Sequence, residues 1–361
     1  MQRLQQPARH LSSLICCGLV IVIVVTAGCT GVLAGTSSGN GTPEDLRTAG
    51  ASPVTITDSQ GAITVLPAPA RRIICQNGDA AEMLVALGAG DRIVGVADTT
   101  IDDPVLMPHL PHAASIGDWQ TPNIEKILAL EPDVILTYSG MTKNAGQLVA
   151  ANLTLVPVDS YKIPDLGRDA GMLGRLAGRT DRVVEYSRFN EKYLSLVRDR
   201  VQKRAGSEPI RVYVEGYSDY SVHATGSGGD HLLRLLNATN IAGSIRTQSA
   251  TVSPEWVIEQ DPDVIIKIAM DPAKYESLDT VRQSILSRPG LSRVRAVREN
   301  RVYVINGDVI SSPRGVVGLL YAAKALYPEE FADVMPEDAL AEYAREFVSG
   351  TDRVGTFSPV L

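Results

Sequence analysis

The segment NIEKILALEPDVIL (residues 123–136) returns in altered form as SPEWVIEQDPDVII (residues 253–266). Each copy begins with a residue that commonly caps a helix and carries a glutamate two positions later. An acid-Pro-Asp turn then stops the helix, and the apolar run that follows predicts a buried strand. A helix, a turn and a strand in this order are common in α/β proteins, but the matched caps and acids indicate a duplication. The chain is therefore expected to contain two similar α/β units.

Strands and helices alternate around both copies as well. A hairpin is predicted over residues 54–66, and Asp79 is expected to cap the helix that follows the strand at 72–75. Such alternation predicts parallel sheets flanked by helices. From about 169 to 205, apolar residues recur every three or four positions, which predicts one long helix. The predicted fold is α/β, with two Rossmann-like parallel-sheet lobes joined by a single long backbone helix.

These patterns divide the chain into six predicted segments. They are an export signal with a lipobox (1–29), a flexible tether (30–53), an N-terminal α/β lobe (54–165), a linking helix region (166–206), a C-terminal α/β lobe (207–331) and a C-terminal helical tail (332–361). Late in the second lobe, Ser312 is expected to cap a helix with Pro313 at its first position. The tail is expected to form a helix from Pro336 to Val348.

The first residues predict export from the cytoplasm. Basic residues precede an apolar run from Leu14 to Val25, and small residues lead to Cys29. The ending Ala-Gly-Cys resembles a lipobox, in which the cysteine is lipidated and becomes the mature N-terminus. The alternative is an uncleaved anchor helix, although the run is shorter than the ~20 residues that span a bilayer comfortably. Either interpretation places the rest of the chain outside the cytoplasm, at the outer face of the cell membrane.

Composition narrows the possible partners. The formal net charge of −7 argues against nucleic acid, which selects basic surfaces. The five histidines show no metal-ligand spacing, so we expect no metal ion held directly by the protein. After processing, only Cys29 and Cys75 would remain, too few for a disulfide framework. A buried strand-end cysteine is favoured over a reactive thiol for Cys75.

Four stretches together resemble one family, the helical-backbone substrate-binding proteins of ABC importers for metal chelates, including ferric-siderophore and cobalamin binders. They are RRIICQNGDAAEMLVALGAGDRIVGV, SIGDWQTPNIEKILALEPDVIL, SPEWVIEQDPDVII and RVYVINGDVISSPRGVVGLLYAAKALYPEEF. The resemblance covers roughly residues 54–331. It implies a ligand cleft between the lobes and no covalently bound cofactor. The implied ligand is an iron chelate or a corrinoid, and the implied partners are an ABC permease dimer with its ATPase. The resemblance also suggests a monomer tethered to the membrane surface by its lipid.

The same resemblance gives the paired glutamates a role. Members carry one exposed glutamate per lobe at the start of the repeated helix, and these pair with arginines of the two permease subunits. Glu125 and Glu255 occupy those positions. Two acids related by lobe symmetry could engage a two-fold permease as a bivalent clamp. The alternative is that both only complement a helix dipole, worth about 0.3 to 1 kcal/mol each.

Ligand contacts are expected from loops at the carboxyl ends of strands, where open α/β sheets bind ligands. Trp119 and Gln120 stand where the cobalamin binder has a ligand-packing Trp-Gln pair, although Trp119 could equally be a core residue. Arg314 near a helix N-terminus is a candidate anion site. The candidate ligand-binding residues are Gln76, Asn77, Trp119, Gln120, Tyr217, Tyr220 and Arg314.

Two other functions remain open, an exported cofactor-handling enzyme and a ligand-sensing module on the same scaffold. GAGDRIVG (88–95) and GSGG (226–229) do not complete a dinucleotide or phosphate loop. No Gly-x-Ser-x-Gly motif occurs in the sequence. We therefore expect no catalytic residues, and a binding protein rather than an enzyme.

Overall fold

The structure is a computed structural model that describes residues 52–204, 206–269 and 277–348. The predicted export signal at 1–29, the lipidation of Cys29 and nearly all of the tether at 30–53 fall outside the described residues. The end of the tail, residues 349–361, does so too. Within the described part of the chain, no helix has the length and apolar character needed to cross a membrane.

The elements of the described residues alternate along the chain as expected for an α/β protein. The strands are β1 (Val54–Thr57), β2 (Ile63–Leu66), β3 (Ile73–Cys75), β4 (Ile93–Val96), β5 (Ala114–Ser115), β6 (Val134–Thr137), β7 (Leu155–Pro157), β8 (Arg211–Glu215), β9 (Ser221–His223), β10 (Thr239–Asn240), β11 (Ser249–Thr251), β12 (Val264–Ala269) and β13 (Val302–Asn306). The helices are α1 (Gly78–Ala86), α2 (Asp98–Ile101), α3 (Ile124–Ala129), α4 (Ala145–Ala150), α5 (Leu166–Leu176), α6 (Thr180–Gln202), α7 (Gly228–Leu235), α8 (Pro254–Gln260), α9 (Leu278–Leu286), α10 (Arg295–Arg298), α11 (Gly307–Ile310), α12 (Gly315–Leu326) and α13 (Pro336–Phe347).

The N-terminal lobe is built on a five-stranded sheet in the order β5-β4-β3-β6-β7. All of its neighbouring strands run parallel, as predicted. β1 and β2 form a separate antiparallel hairpin, which confirms the prediction over 54–66. Because parallel strands need a crossover between them, the helices cover the faces of this sheet, and its inner strands β3, β4 and β6 are buried on both sides.

The C-terminal lobe has a mixed sheet rather than the parallel sheet that we expected. Its order is β11-β9-β8-β12-β13, with β10 paired to β8. β8, β12, β13 and β10 are parallel, but β9 and β11 are antiparallel additions at one edge. The reason is the short connection after β8, since a few residues can reverse the chain but cannot make a parallel crossover.

The two copies of the repeated segment adopt the same local structure. Asn123 and Ser253 cap α3 and α8, and each side chain accepts a hydrogen bond from the backbone N–H three residues later. After each helix the residue that precedes the proline, Glu131 (φ 42°) or Asp261 (φ 40°), adopts the left-handed conformation. Non-glycine residues rarely do so. The duplication read from the sequence is confirmed in the backbone.

The aspartate after each proline joins the repeated turn to the first strand of its lobe. Asp133 donates its backbone N–H to the Arg72 carbonyl at 2.8 Å, and its Oδ2 accepts the Arg72 backbone N–H at 2.8 Å. Asp263 makes the same two bonds with Arg211, both at 2.9 Å. The Pro-Asp pair is thus a specific link between non-consecutive strands and not only a common loop sequence.

The linking region is not one continuous helix. α5 packs with the N-terminal lobe, and α6 begins only after a break that contains Gly178. Gly178 has φ +62°, a conformation that ends a helix and that other residues rarely adopt. The backbone helix that joins the lobes is therefore the 23-residue α6, and the prediction of one helix from 169 to 205 was too long.

One continuous hydrophobic cluster connects both lobes with the linking helix and the tail. It includes Cys75 of β3, Val214 of β8, Phe189 of α6 and Phe347 of α13. The predicted tail helix is confirmed as α13, which packs against α12 and α1. Cys75 is a free thiol that is fully buried, and burial raises its pKa, so the favoured structural interpretation is confirmed.

Two predicted helix starts were wrong. α1 is capped by Asn77, whose Oδ1 accepts the Ala80 backbone N–H at 2.6 Å, and Asp79 lies inside its first turn. α12 begins at Gly315, after the expected position, because Pro313 lies in a turn closed by the bond from the Gly315 N–H to the Ser312 carbonyl. Proline suits the second position of a turn as well as the first turn of a helix.

Candidate functional site

Loops at the carboxyl ends of strands from both lobes lie near one another, and the space between them is called the cleft below. Tyr138 follows β6, Tyr161 lies beyond β7, and Tyr217 follows β8 of the other lobe. The pKa of Tyr217 is raised by burial first, lowered by a hydrogen bond with Ser311, and raised again by the charge of Asp79. Tyr217 therefore lies near Asp79 of the other lobe.

An aromatic row covers the N-terminal wall. The Tyr138 ring packs edge-on against Trp119, with 5.6 Å between ring centroids, and against Tyr161 at 5.9 Å. Edge-to-face contacts of this kind fix ring orientation and add to the energy of burial. Tyr217 of the other lobe is 48% exposed, so it offers a further ring to a ligand.

Asp79 lies at the centre of this wall, in the first turn of α1. Its Oδ2 accepts a hydrogen bond from the Tyr138 hydroxyl at 2.6 Å, which is its one hydrogen bond among the described residues. Burial raises the pKa of Asp79 to about 7, against the lowering effect of the Tyr138 bond. The charges of Glu82 and Asp308 raise that pKa further, and Arg314 lowers it. Near neutral pH this carboxyl group can therefore accept or release a proton.

Glu82 occupies the next turn of α1 and lies deeper, at the joint between the lobes. Its Oε2 accepts a hydrogen bond from Arg314 at 3.1 Å, and its Oε1 accepts one from the Tyr343 hydroxyl at 2.9 Å. Burial raises the pKa of Glu82, and the Arg314 charge and the Tyr343 bond oppose that rise. Three separate chain segments are held together by this one carboxylate.

The C-terminal wall contains a buried ionic network centred on the end of β8. Glu215 at the end of β8 binds Lys267 at 2.8 Å and Arg288 through both carboxylate oxygens, at 2.7 and 2.9 Å. Burial alone would raise the pKa of Glu215, but the Arg288 bonds and the Lys267 charge outweigh burial and lower it. Arg288 also pairs with Asp219 at 2.7 Å and lies over the Tyr220 ring at 4.8 Å.

The structure brings some of the predicted ligand-binding residues to the cleft wall. Gln76 is buried; its amide nitrogen donates to the Trp119 carbonyl at 3.3 Å, and its oxygen accepts from Thr142 at 3.0 Å. Gln76 thus positions the loop that carries Trp119 and Gln120. The Trp119 and Gln120 side chains are half-buried. Their contact with a ligand stays a prediction, as does that of Tyr217.

Three of the predicted ligand-binding residues already have partners within the protein. Both amide ends of Asn77 are used, since it caps α1 and donates to the Val158 carbonyl at 3.2 Å. Tyr220 packs against Arg288 within the C-terminal lobe. Arg314 is only 9% exposed and paired with Glu82, so its guanidinium does not stand open at a helix N-terminus. Ligand binding by these three stays a prediction that their placement does not favour.

The paired glutamates are exposed on the repeated helices. Glu125 lies in the first turn of α3 and Glu255 in the first turn of α8. Both side chains are exposed, and neither carboxylate has a hydrogen bond or ion pair to the described residues. Their predicted role in docking stays a prediction, and the geometry leaves both carboxylates available for a partner.

Sequence reasoning missed Asp79, Tyr138 and Tyr161 as cleft residues. Tyr138 comes directly after β6, and Tyr161 lies four residues after β7, so the rule that ligands bind at strand carboxyl ends could have found them. Asp79 was taken for a helix cap. Within residues 52–204, 206–269 and 277–348, no group of three or more His, Cys, Asp or Glu side chains is arranged to hold a metal ion.

A groove of about 450 Å³ also lies between α6 and α13, away from the cleft. Its lining includes the Lys192–Glu342 ion pair and the edge of Phe189. Lys192 and Glu342 pair with each other across the two helices, so we interpret the groove as a solvated contact between helices. The cleft, where both lobes contribute side chains, is the stronger candidate site.

Comparison with known proteins agrees with this architecture. A family model described as periplasmic binding protein matches residues 73–309. The uncharacterized ABC transporter substrate-binding lipoprotein YvrC of Bacillus subtilis (strain 168) is 25% identical over 330 residues, covering 87% of this chain and 97% of that protein. The vitamin B12-binding protein of Yersinia pestis (strain Pestoides F) is 28% identical over 208 residues, covering 56% and 72%.

Solved structures share the fold. The molybdate-bound periplasmic protein MolA of Haemophilus influenzae superposes with a TM-score of 0.70 at 22% identity, covering 85% of this chain and 99% of that one. At this identity the likeness concerns the arrangement of the lobes, and the ligand follows from the side chains of the cleft.

Proposed function

The chain belongs to the periplasmic binding protein family, and from that premise we propose that it is the substrate-binding protein of an ABC importer. In this proposal it captures an iron–siderophore complex, a related metal chelate or cobalamin in the cleft between its lobes. It then delivers that ligand to the permease as a monomer. The single observation that carries the proposal is the cleft, where aromatic side chains of both lobes lie near one another at the carboxyl ends of strands.

The aromatic wall supports a bulky ligand. Trp119, Tyr138 and Tyr161 present a row of rings, and Tyr217 of the other lobe lies near them. Rings bury large areas with little loss of conformational freedom, which suits a rigid chelate or corrinoid. Because the hydrophobic cluster is continuous across the lobes, we expect ligand entry to need only a small change in the angle between them.

Delivery is proposed to use Glu125 and Glu255. The two acids occupy equivalent positions on duplicated helices, both exposed, so a two-fold permease can engage them together. Two weak ion pairs made at once give a higher affinity than either alone, without any new type of contact. Tethering through a lipid on Cys29 would hold the protein at the outer face of the cell membrane and raise its concentration near the permease.

Ligand binding is the direct test of the proposal. The purified chain is titrated with iron(III) siderophores of several classes, haem and cobalamin, and tryptophan fluorescence and melting temperature are recorded. We expect one class to bind tightly without chemical change, to raise the melting temperature and to quench Trp119, a quench absent from Trp119→Phe. If no member of the panel shifts either signal, the proposal fails; turnover of a bound ligand would favour an enzyme instead.

Docking is tested by charge reversal. Glu125→Lys with Glu255→Lys is expected to abolish ligand-dependent uptake, because each changed residue repels the arginine that it should meet. Each single change should leave partial uptake, and ligand affinity should stay unchanged. Glu259→Lys, an exposed acid on the same helix as Glu255, is the matched control and should transport normally. Loss of ligand affinity in the double variant would contradict a docking role.

A further inference from the structure

The charge of the cleft restricts which ligands it can accept. Asp79 has no ion-pair partner among the described residues, and its single hydrogen bond comes from Tyr138. A half-buried carboxylate without a cation is costly, and the cost falls when a ligand supplies the missing positive charge or a donor. Asp308, at the start of α11, adds a second negative charge near Asp79 and Tyr217.

Four cations of the two walls already have carboxylate partners. Lys162 binds Asp159 at 2.8 Å, and Arg314 binds Glu82. The same is true in the other lobe, where Lys267 and Arg288 share Glu215. In these four pairs, all within the described part of the chain, the cation is neutralised before a ligand arrives. An anionic chelate would have to break one of these pairs to gain a counter-charge from any of the four cations, and breaking buried pairs is expensive.

The rings around Asp79 are suited to a positive charge. Tyr138 touches both Asp79 and the two rings beside it, Trp119 and Tyr161. The faces of aromatic rings attract organic cations, and several rings around one carboxylate form the usual setting for an ammonium group.

From these observations we propose that the cleft selects a chelate carrying an organic cation, such as an ammonium group, which sits against Asp79 between Tyr217 and the Trp119–Tyr138–Tyr161 row. Asp79 acts as its counter-ion and as the residue that sets charge specificity. Chelates with net negative charge are excluded. This inference rests on the proposed function and adds the chemical class of the substrate.

The first test compares ligands that differ only in charge. A linear iron(III) trihydroxamate with a free terminal ammonium group is compared with its N-acetylated form, which has nearly the same size and no charge, and with an iron(III) tricatecholate carrying three negative charges. We expect the ammonium form to bind at least about tenfold more tightly than the acetylated form, as an ion pair with cation–π contacts predicts. The tricatecholate should not bind.

Variants then assign the preference to Asp79 and Tyr217. Asp79→Asn keeps the shape of the side chain and should reduce the preference for the ammonium form to threefold or less. Tyr217→Leu should also weaken binding of the ammonium form, whereas Tyr217→Phe keeps the ring and should retain the preference. Melting curves check that each variant is folded. The ratio of the affinities for the ammonium and acetylated forms is measured on the wild type, so that test does not depend on whether a variant folds.

Proton release is a separate readout. The titratable groups near Asp79 are Tyr138, Glu82, Asp308 and Arg314, together with Tyr161 and Tyr217. With a pKa of about 7 for Asp79, a bound cation at pH 7 should drive off about half a proton per complex, seen as a buffer-dependent binding enthalpy that Asp79→Asn lacks.

The outcomes separate this inference from the function on which it rests. If the acetylated or the anionic chelate binds as tightly as the ammonium form, or if Asp79→Asn leaves the ratio unchanged, charge selection is wrong while the binding function stands. If cobalamin, haem and all the iron chelates fail to bind, the proposed function fails and the inference fails with it.

Discussion

Asp79, four residues after β3, and Glu215, the last residue of β8, are acids whose pKa burial acts to raise, yet their pKa values shift in opposite directions. Glu215 is surrounded by Lys267 and Arg288, which lower its pKa despite burial. Asp79 has only Tyr138, and burial raises its pKa to about 7. Partners, more than depth, decide whether a buried carboxylate stays charged. The C-terminal acid holds its lobe together, and the N-terminal acid remains open to a ligand.

Removing the Glu215 charge should have the largest effect. Glu215→Gln leaves Lys267 and Arg288 facing a neutral side chain, and loss of one partner from a buried network costs about 3 to 5 kcal/mol. We expect the free energy of unfolding in urea to fall by that amount. Asp219→Asn is the matched control, because its carboxylate touches the same two cations but is 70% exposed, and it should cost under about 1 kcal/mol. If both variants lose the same free energy of unfolding, Glu215 is no more important to stability than the exposed Asp219.

Asp79→Asn should stabilise the protein, and only at high pH. The pKa of Asp79 in the folded chain, about 7, lies above the unfolded value near 4. Its contribution to stability is therefore fully present below about pH 4 and is lost as pH rises through about 7. At pH 8 we expect the variant to be more stable by up to about 4 kcal/mol, and at pH 4 equal to the wild type.

Melting temperatures measured from pH 4 to pH 8 check this prediction. Asp102→Asn, an exposed acid on the same lobe, should show no such divergence. A constant difference between Asp79→Asn and wild type across the range would mean that Asp79 is not held in a high-pKa state. If Asp79→Asn gains stability and also loses charge selection, Asp79 is a residue that serves function at a cost in stability.

The smallest expected effects belong to the duplicated aspartates. Asp133→Ala and Asp263→Ala each remove side-chain acceptors for backbone N–H groups where β3 and β8 begin, worth about 1 to 2 kcal/mol apiece. Asn at either position keeps one acceptor and should cost less. Urea unfolding that shows a loss at only one of the two positions would mean that the lobes do not use the repeat in the same way.

Local rules predicted the duplicated segment well. The caps at Asn123 and Ser253, the turns at Glu131 and Asp261, the hairpin and the tail helix all depend on residues that are close together along the chain, and each was predicted correctly. The mixed sheet and the break at Gly178 were missed. The mixed sheet depends on where the strands after β8 find partners, and the break depends on the positive φ of Gly178. Neither is visible in the apolar periodicity of the sequence.

The sequence by itself determined the repeat, the α/β class and the family, because periodicity, caps and turn residues act over short distances along the chain. Only the tertiary structure decided which strand-end residues form the cleft and which are consumed by the fold. Tyr138 reaches Asp79 across 59 residues, Lys267 reaches Glu215 across 52, and Arg314 reaches Glu82 across 232. The pKa of each acid depends on those distant partners and on the water that packing removes. The residues next to the acid in the sequence determine neither of these.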